Sequence, residues 1–398
     1  MQAYFLACGG ILPLRTRLNA LLGPSGTFWA RAFICTTFST FVHFFVPQYL
    51  LGIHLVPNMS KLSPELEAFF SDAQSEVDDA LRKIITPGGA TIANLDDGLA
   101  YALGLDEASK STGKRIRPLL CLLVCDTLCG AARPALPFAV AIELMHNFCL
   151  VHDDIEDGDE FRRGRPAVWK HFGLPHAINI GDYLFTKIFE ALLMDAFHTQ
   201  PEKIVRLFEL MRSTLDHTHR GQALDMNARH GRITAAEYMH LVTEKTGHYL
   251  AAPMIAGGIA ADASAAEIAA LGAFGLTIGP MFQIRDDVID LTHGKGRESI
   301  GSDVREGKRS FLVAHALEHA TADDQSQLLQ ILDTPREATT DEHVRRAQTI
   351  FETAGAIAAA DLKCEDLKKQ ALAALDQLPP KLKDRLWQVT EYLAARTV

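Results

Sequence analysis

Apolar residues recur at intervals of three and four positions along most of this chain. The pattern begins with Leu66, Phe70, Ala73 and Val77, a spacing that places one apolar stripe along a helix. No stretch shows the alternation of apolar and polar residues that is typical of half-buried strands. One large all-α domain is therefore predicted. Its further helical stretches fall at about residues 115–130, 135–157, 178–197, 201–227, 234–262, 264–292, 307–319, 341–375 and 380–396.

The beginning of the chain differs from the remainder in composition. The first 58 residues contain no Asp, Glu or Lys and only three arginines, and they are rich in aromatic residues. A helix start follows at Ser63-Pro64-Glu65, where a capping serine precedes a proline and an acidic residue. We therefore predict a hydrophobic extension at residues 1–58 and one helical domain at residues 59–398.

Three interpretations of this extension stay open. Residues 32–56 approach the roughly 20 apolar residues that a membrane span needs, although His43 and Pro47 interrupt them. An acid-free segment with early arginines is also typical of a cleaved targeting peptide. In the third interpretation, translation starts at Met59 and the extension is not made. We favour the third, and with it a cytoplasmic protein whose membrane association would require residues 1–58.

The composition narrows the class of function. The 398 residues carry a net charge of −10, whereas a general nucleic-acid binder presents a basic surface, so no nucleic-acid partner is expected. Seven cysteines without a CxxC pair suit a reducing compartment. Cys121, Cys125 and Cys129 could share one helix face, and we interpret them as small buried thiols rather than a metal site.

Two acidic clusters of the form DDxxD lie in otherwise apolar stretches, at residues 153–157 and 286–290. On a helix the first and last aspartates of each cluster share a face, because they are four residues apart. Like charges beside apolar residues are unfavourable unless a cation is bound. Oxygen ligands without nearby Cys or several His suit Mg²⁺, which usually also binds phosphates. For one cluster alone, a solvated acidic turn is an equal alternative.

Basic motifs accompany both clusters in a defined order. The motifs are GKRIRP at 113–118, RRGRP at 162–166, GQALD at 221–225, KTG at 245–247 and GSDVREGKRS at 301–310. Arginines close to a Mg²⁺ site suit a diphosphate, because a guanidinium group is always charged and can bind two oxygens. In this order the motifs resemble the trans-isoprenyl diphosphate synthase (polyprenyl synthetase) family over about residues 105–320. The most specific feature is DDxxD followed after four residues by RRGxP.

This resemblance implies an all-α isoprenoid synthase fold, in which helices surround a deep apolar cavity and the aspartate clusters face each other across its mouth. The implied reaction is a Mg²⁺-dependent condensation of isopentenyl diphosphate with an allylic diphosphate (dimethylallyl, geranyl or farnesyl), which releases diphosphate. Up to three Mg²⁺ ions in the site and a homodimer are also implied.

The resemblance also assigns roles to residues of this chain. The implied metal ligands are Asp153, Asp154, Asp157, Asp286, Asp287 and Asp290. The implied allylic diphosphate site consists of Arg162, Lys245, Thr246, Gln283 and Lys308. The implied isopentenyl diphosphate site consists of Lys114, Arg117, His146 and Arg163. The implied catalytic residues are these aspartates other than Asp290, together with Lys245 and Thr246.

The chain departs from the family pattern at one position. Many relatives carry another lysine where Glu298 and Ser299 stand here, and Lys295 is nearby but offset. The allylic diphosphate site is therefore expected to lack one cation, unless the loop brings Lys295 to it.

Product length is predicted from residues that precede the first cluster. Phe148 stands five residues before Asp153, and Cys149 and Met145 lie close to it in sequence. A bulky aromatic residue at this position resembles short-chain enzymes, particularly geranylgeranyl diphosphate synthases. We favour a C20 product, with a C15 farnesyl product next.

Two other functions are alternatives. A terpene cyclase on the same scaffold would not need a second diphosphate site, so the residues of the implied isopentenyl diphosphate site argue against it. A non-catalytic subunit of a heteromeric synthase is disfavoured because both aspartate clusters are intact.

Overall fold

The computed structural model describes residues 62–86, 88–109, 113–194, 200–292 and 300–394. The predictions for residues 1–58, and those for Lys295, Glu298 and Ser299, lie outside the described residues. Within the described part of the chain, helices make up nearly all of the regular structure, so the predicted all-α class is confirmed.

The helices are α1 (Pro64–Ile85), α2 (Asp96–Leu103), α3 (Ile116–Cys129), α4 (Leu136–Glu156), α5 (Val168–Phe172), α6 (Leu174–Leu192), α7 (Pro201–Ala228), α8 (Ala235–Val242), α9 (His248–Ala260), α10 (Ala265–Thr292), α11 (Ser302–Arg305), α12 (Phe311–His319), α13 (Ala322–Leu332), α14 (Asp341–Thr353), α15 (Ala356–Leu375) and α16 (Pro380–Ala394). Short 3₁₀ turns lie at Arg133–Ala135 and Arg336–Ala338, and a π-helical turn at Thr243–Gly247 joins α8 to α9. Two short strands, β1 (Phe161–Arg162) and β2 (Arg165–Pro166), pair antiparallel.

Helix boundaries follow from local chemistry. The hydroxyl of Ser63 accepts a hydrogen bond from the backbone N–H of Leu66 at 3.4 Å, and Pro64 is the first helical residue, so α1 begins as predicted. The stretch 341–375, which the apolar pattern predicts as one helix, is two helices. Gly355 has a φ of 72°, a left-handed conformation that ends the regular helix before α15 begins.

The apolar pattern did not predict the hairpin formed by β1 and β2. Its two turn residues, Arg163 and Gly164, have φ values of 54° and 74°. A two-residue turn with both φ values positive is of type I′, whose twist matches that of paired strands. With two residues in each strand, there is no alternation for a sequence pattern to detect. The RRGRP motif therefore forms a two-residue turn between paired strands.

Five helices surround the interior of the domain. Helices α3, α4, α6, α7 and α9 each pack against the next, α9 packs against α3, and α10 lies between α9 and α15. Within the part of the chain that the structure describes, two stretches, Arg133–Glu156 and Ala265–Leu291, are long and apolar enough to cross a membrane. In the first, 78% of the most apolar window is buried inside the protein, which is typical of a core helix. The first aspartate cluster lies at the carboxyl end of α4, so the packing of α4 against α3 and α6 positions this cluster.

Candidate active site

A cavity of about 220 Å³ lies beside the carboxyl end of α4. Its walls come from α3, α4, α7, the π-helical turn, α9 and α10. Segments far apart in sequence therefore contribute side chains to one space. Of the residues singled out from the sequence, those that line it are Arg117, His146, Phe148, Cys149, Asp153, Lys245, Thr246 and Gln283.

The three aspartates of the first cluster differ in their partners. Asp154 is buried and accepts a hydrogen bond from Arg162 Nε at 2.8 Å, and Asp157 accepts one from Arg229 Nη2. The Asp153 carboxylate lines the cavity, and among the described residues none donates a hydrogen bond to it. Burial raises the pKa of Asp153 to about 7. A desolvated carboxylate that faces a cavity fits a divalent cation, so Asp153 suits the predicted Mg²⁺ better than the other two do.

The aspartates of the second cluster also differ in their exposure and in their hydrogen-bond partners. Asp286 is exposed, whereas Asp287 accepts hydrogen bonds from Tyr238 Oη at 2.7 Å and from Phe311 N at 3.2 Å. Asp290 accepts hydrogen bonds from Ser302 Oγ at 2.6 Å and from the backbone N–H of Asp303 at 3.0 Å. Asp287 and Asp290 thus tie α10 to α8, α11 and α12. Their assignment as metal ligands stays a prediction that these contacts do not support.

Lys245 and Thr246 lie in the π-helical turn, an irregularity that is frequent at functional sites. Lys245 Nζ lies 2.6 Å from Asp225 Oδ2. Burial alone would lower the pKa of Lys245, but the carboxylates of Asp225 and Asp153 outweigh burial and raise it. The lysine therefore points a permanent positive charge into the cavity. Thr246 Oγ1 donates a hydrogen bond to Gln283 Oε1 at 3.4 Å, and both of these residues line the cavity.

Two glycines allow this turn to pack closely. A Cβ atom added at Gly221 on α7 would overlap the backbone N and Cα of Lys245. A Cβ atom added at Gly279 on α10 would lie 2.6 Å from the Cα of Gly247. The glycine of GQALD is therefore explained by the approach of α7 to the turn, whereas a Cβ atom added at Gly247 of KTG would make contacts no closer than 3.4 Å. The aspartate of GQALD, Asp225, holds the lysine; sequence analysis quoted the motif but gave this residue no role.

The GKRIRP and RRGRP motifs lie next to each other. A Cβ atom added at Gly113 would lie 3.1 Å from the guanidinium carbon of Arg163, so GKRIRP contacts RRGRP. The Arg117 guanidinium lies 4.1 Å from the centre of the Tyr249 ring, a cation–π contact that sequence analysis missed. Burial, and then the charges of Arg117 and Arg163, lower the pKa of His146 well below its usual value. These cations form a region suited to an anion, with a neutral imidazole beside them.

Arg115, the second cation of GKRIRP, faces the interior. Arg115 is buried, and its guanidinium binds Glu143 at 2.7 Å and Asp78 at 2.9 Å. Its backbone φ is 47°, a left-handed conformation. Arg115 is therefore held by carboxylates inside the protein, whereas Lys114 is exposed and Arg117 lines the cavity.

Lys308 belongs to the last motif and is turned toward carboxylates. Its Nζ lies 3.4 Å from both Asp287 Oδ1 and Asp303 Oδ2. Burial alone would lower the pKa of Lys308, but Asp303, Asp287 and Asp225 raise it well above its usual value. Lys308 therefore links the second aspartate cluster to the GSDVREGKRS segment. Asp303 is a further residue to which sequence analysis assigned no role.

An aromatic group forms one boundary of the cavity. The Phe148 ring lies 5.4 Å from the ring of Phe185 and 5.8 Å from that of His219, measured between centres. Cys149 also lines the cavity, whereas Met145 is fully buried and does not line it among the described residues. The role of Met145 in product length stays a prediction, which its absence from the cavity lining does not support.

The motifs that meet in this cavity match a known family. The family model described as polyprenyl synthetase matches residues 102–351, which is more than half of the chain. The chain belongs to the polyprenyl synthetase family. It is therefore a prenyltransferase, and its helical domain has the isoprenoid synthase fold of that family.

Individual members of the polyprenyl synthetase family are also similar over most of their length. A short chain isoprenyl diphosphate synthase of Methanothermobacter thermautotrophicus is 39% identical over 67% of this chain and 81% of its own. A geranylgeranyl diphosphate synthase of Methanosarcina mazei is 34% identical over 71% and 86%. The solved structure of geranylgeranyl pyrophosphate synthetase from Pyrococcus horikoshii superposes with a TM-score of 0.73 at 33% identity, covering 83% of this chain and 99% of that one.

Proposed function

We propose that this prenyltransferase condenses isopentenyl diphosphate with an allylic diphosphate to give geranylgeranyl diphosphate, with Mg²⁺ as cofactor. The observation that carries the proposal is that one cavity has a carboxylate and a lysine at one end and an aromatic boundary at the other. These are Asp153, Lys245 and Phe148. A diphosphate can be bound at the charged end while its apolar chain extends toward the aromatic end.

The residues around Asp153 suit the ionisation of an allylic diphosphate. Mg²⁺ held by Asp153 would supply charge neutralisation to the diphosphate leaving group. The positively charged Lys245 would bind the same diphosphate, because its pKa is raised and it lines the cavity. The side-chain oxygens of Thr246 and Gln283 lie beside the proposed diphosphate position, where they can stabilise the positive charge that develops on the allylic carbon.

A second anion region supports condensation rather than cyclisation. Arg117 and His146 line the cavity on its α3 and α4 walls, and Arg163 lies beside the adjoining GKRIRP segment. A condensing enzyme must hold the diphosphates of both substrates, whereas a cyclase holds only one. We assign this region to isopentenyl diphosphate, whose double bond would attack the allylic carbon. The released diphosphate is the proposed base for the final proton.

The assembly is proposed to be a homodimer. Apolar side chains remain exposed on α6 and α7, among them Phe189 at 39% and Val205 at 63%. Together with Phe185 and Phe208 they line an apolar groove between these helices. Exposed apolar surface of this kind is typical of protein interfaces, and a second copy of this chain is the partner we propose.

The proposed product is tested by incubating the full chain with Mg²⁺, isopentenyl diphosphate and, separately, each of three allylic diphosphates. Dimethylallyl, geranyl and farnesyl diphosphate should all yield a C20 product, identified by mass spectrometry. A C15 product would retain the reaction and correct the chain length. Release of diphosphate and a hydrocarbon from an allylic substrate alone would replace the synthase with a cyclase.

Phe148→Ala is expected to lengthen the product by one or more C5 units. Removing the ring opens the end of the cavity toward Phe185 and His219, so the chain can grow further before release. Product lengths are compared by mass spectrometry with those of Phe69→Ala, a half-buried phenylalanine on α1 that does not line the cavity. An unchanged product from Phe148→Ala would place the chain-length boundary elsewhere.

Stabilisation by Mg²⁺ is expected to be larger at pH 8 than at pH 6. Without a cation, Asp153 in the folded protein keeps its proton up to about pH 7, whereas its usual pKa is 3.8. The contribution of Asp153 to the stability of the folded state therefore decreases as the pH rises from about 4 to about 7. Mg²⁺ binds only the carboxylate, so protons compete with it below about pH 7. The measurement is the Mg²⁺-induced change in Tm at both pH values.

Asp153→Asn should remove most of this dependence on pH. The control is Asp262→Asn at an exposed position with a φ of 58°, which asparagine tolerates. An equal Mg²⁺ effect at both pH values in the unmodified protein would contradict the role of Asp153.

A further inference from the structure

A group of two histidines and one glutamate lies outside the cavity described above. His217 belongs to α7, Glu244 lies in the π-helical turn, and His248 begins α9. None of the three lines the catalytic cavity. All three are half-buried, with side chains that are 30%, 17% and 29% exposed, so an ion in solution can reach them.

The three side chains are arranged as metal ligands usually are. Their ligand atoms all lie within 4.8 Å of one another. His217 Nδ1 lies 2.8 Å from Glu244 Oε2, and His248 Nε2 lies 4.0 Å from Glu244 Oε1. With Zn–N and Zn–O bonds of about 2.0–2.2 Å, the ligand atoms of a tetrahedral site are separated by about 3.3 Å, which these two distances bracket.

We propose that His217, Glu244 and His248 bind a transition-metal ion, with Zn²⁺ as the preferred occupant, at a site separate from the aspartate clusters. Imidazole nitrogens select Zn²⁺ and related ions, whereas Mg²⁺ prefers sites made of oxygen atoms alone. Three protein ligands leave a fourth position for water. The proposal concerns a second metal and does not depend on which diphosphates the enzyme uses.

The two histidine rings would have to leave their parallel stack to bind one ion, because the nitrogen lone pairs of an imidazole lie in the plane of its ring. They stack in parallel, with centres 3.6 Å apart and planes inclined by 4°. Burial, and then the neighbouring His217, lower the pKa of His248, which keeps its imidazole neutral and able to bind a metal. In the metal-free protein, the proton on His217 Nδ1 can be donated to Glu244, and a bound metal would take the place of that proton.

The location gives the metal a defined structural effect. Glu244 immediately precedes Lys245, and His217 lies one helical turn before Gly221, the glycine that allows α7 to approach this lysine. A metal bound by all three residues would join α7 to the π-helical turn. It would thereby restrict movement of the turn that carries Lys245, and Zn²⁺ would raise the Tm of the protein.

A second pair of stacked histidines provides a matched control. His315 and His319 stand four residues apart on α12, with ring centres 4.1 Å apart. Within the described residues, the only group of three side chains with metal-ligand spacing is the one on α7, the turn and α9. Weak binding by any stacked histidine pair would therefore also appear at His315 and His319, whereas binding that needs a third ligand would not.

The test is Zn²⁺ binding to the full chain after removal of metals with EDTA. Zn²⁺ is titrated against a chromophoric chelator in excess Mg²⁺, which occupies the aspartate clusters, and Co²⁺ is added in parallel to record its visible spectrum. One Zn²⁺ per chain and a tetrahedral Co²⁺ spectrum are expected. His217→Ala and His248→Ala should each weaken Zn²⁺ binding at least about tenfold, and His315→Ala should leave it unchanged.

Three results would overturn the proposal. They are the absence of Zn²⁺ binding, equal binding in the unmodified protein and both alanine variants, or binding that is lost in Asp153→Asn but kept in the histidine variants. The last result would place Zn²⁺ at the aspartate cluster. The Tm of each metal-free variant is measured first. If an alanine variant does not fold, His217→Gln and His248→Gln replace it, because glutamine keeps a hydrogen-bond donor toward Glu244 while weakening metal binding.

Discussion

Asp153→Asn is expected to lower kcat/KM for condensation by about 10²–10⁴-fold without loss of the helical fold. A metal ion that stabilises developing charge contributes several kcal/mol, and each 1.36 kcal/mol corresponds to about a tenfold change in rate. Asp153 is the aspartate of the first cluster that faces the cavity without a hydrogen-bond donor among the described residues. Asparagine retains the size of the side chain but removes the negative charge that would hold the cation.

The measurement is steady-state kinetics with isopentenyl and allylic diphosphates over a range of Mg²⁺ concentrations, together with circular dichroism. The matched control is Glu156→Gln, which alters another carboxylate of the same cluster. Glu156 also lines the cavity but already accepts a hydrogen bond from Gln222 Nε2 at 2.6 Å. We expect Glu156→Gln to lose less than about tenfold. If Glu156→Gln lost more kcat/KM than Asp153→Asn, the cation would be assigned to Glu156 instead of Asp153.

Gly221→Ala is expected to reduce stability by about 1–3 kcal/mol and kcat/KM by about 10²-fold. The added methyl group would overlap the backbone N and Cα of Lys245, and backbone atoms cannot move aside as a flexible side chain can. Either α7 or the π-helical turn must shift. Lys245 would then move relative to Asp225, its partner at 2.6 Å, and relative to the bound diphosphate.

Gly272→Ala is the control for this substitution. Gly272 also lies within a helix, α10, but an added Cβ would be 3.5 Å from Ile255 Cδ1, an ordinary van der Waals contact. Helix propensity favours alanine over glycine by up to about 1 kcal/mol, so this variant should be neutral or stabilised. The free energy of unfolding in urea and kcat/KM are measured for both variants. The comparison separates the effect of helix propensity from that of the steric overlap with Lys245. If the two variants behaved alike, the contact between α7 and the turn would not constrain Lys245.

Much of the candidate site was predictable, because its motifs combine residue types that suit one chemistry. Residues 153, 245 and 283 were singled out from separate motifs, and the structure brings them to one cavity. The roles within each motif were less predictable. Arg115 and Arg117 look equivalent in sequence, yet one binds the buried Glu143 and the other lines the cavity. Only the position of Glu143 on the facing helix distinguishes them.

The sequence by itself determined the helical class and the approximate extent of many helices, and it predicted a cation-binding role for the two aspartate clusters. These features depend on neighbours within about four residues, and helical periodicity, caps and glycines act at that range. The tertiary structure decided which aspartates keep an open carboxylate. Asp157 meets Arg229, and Asp287 meets Tyr238, across 72 and 49 residues of chain. Such pairings depend on which helices pack together, and that packing is not contained in the local spacing of residues.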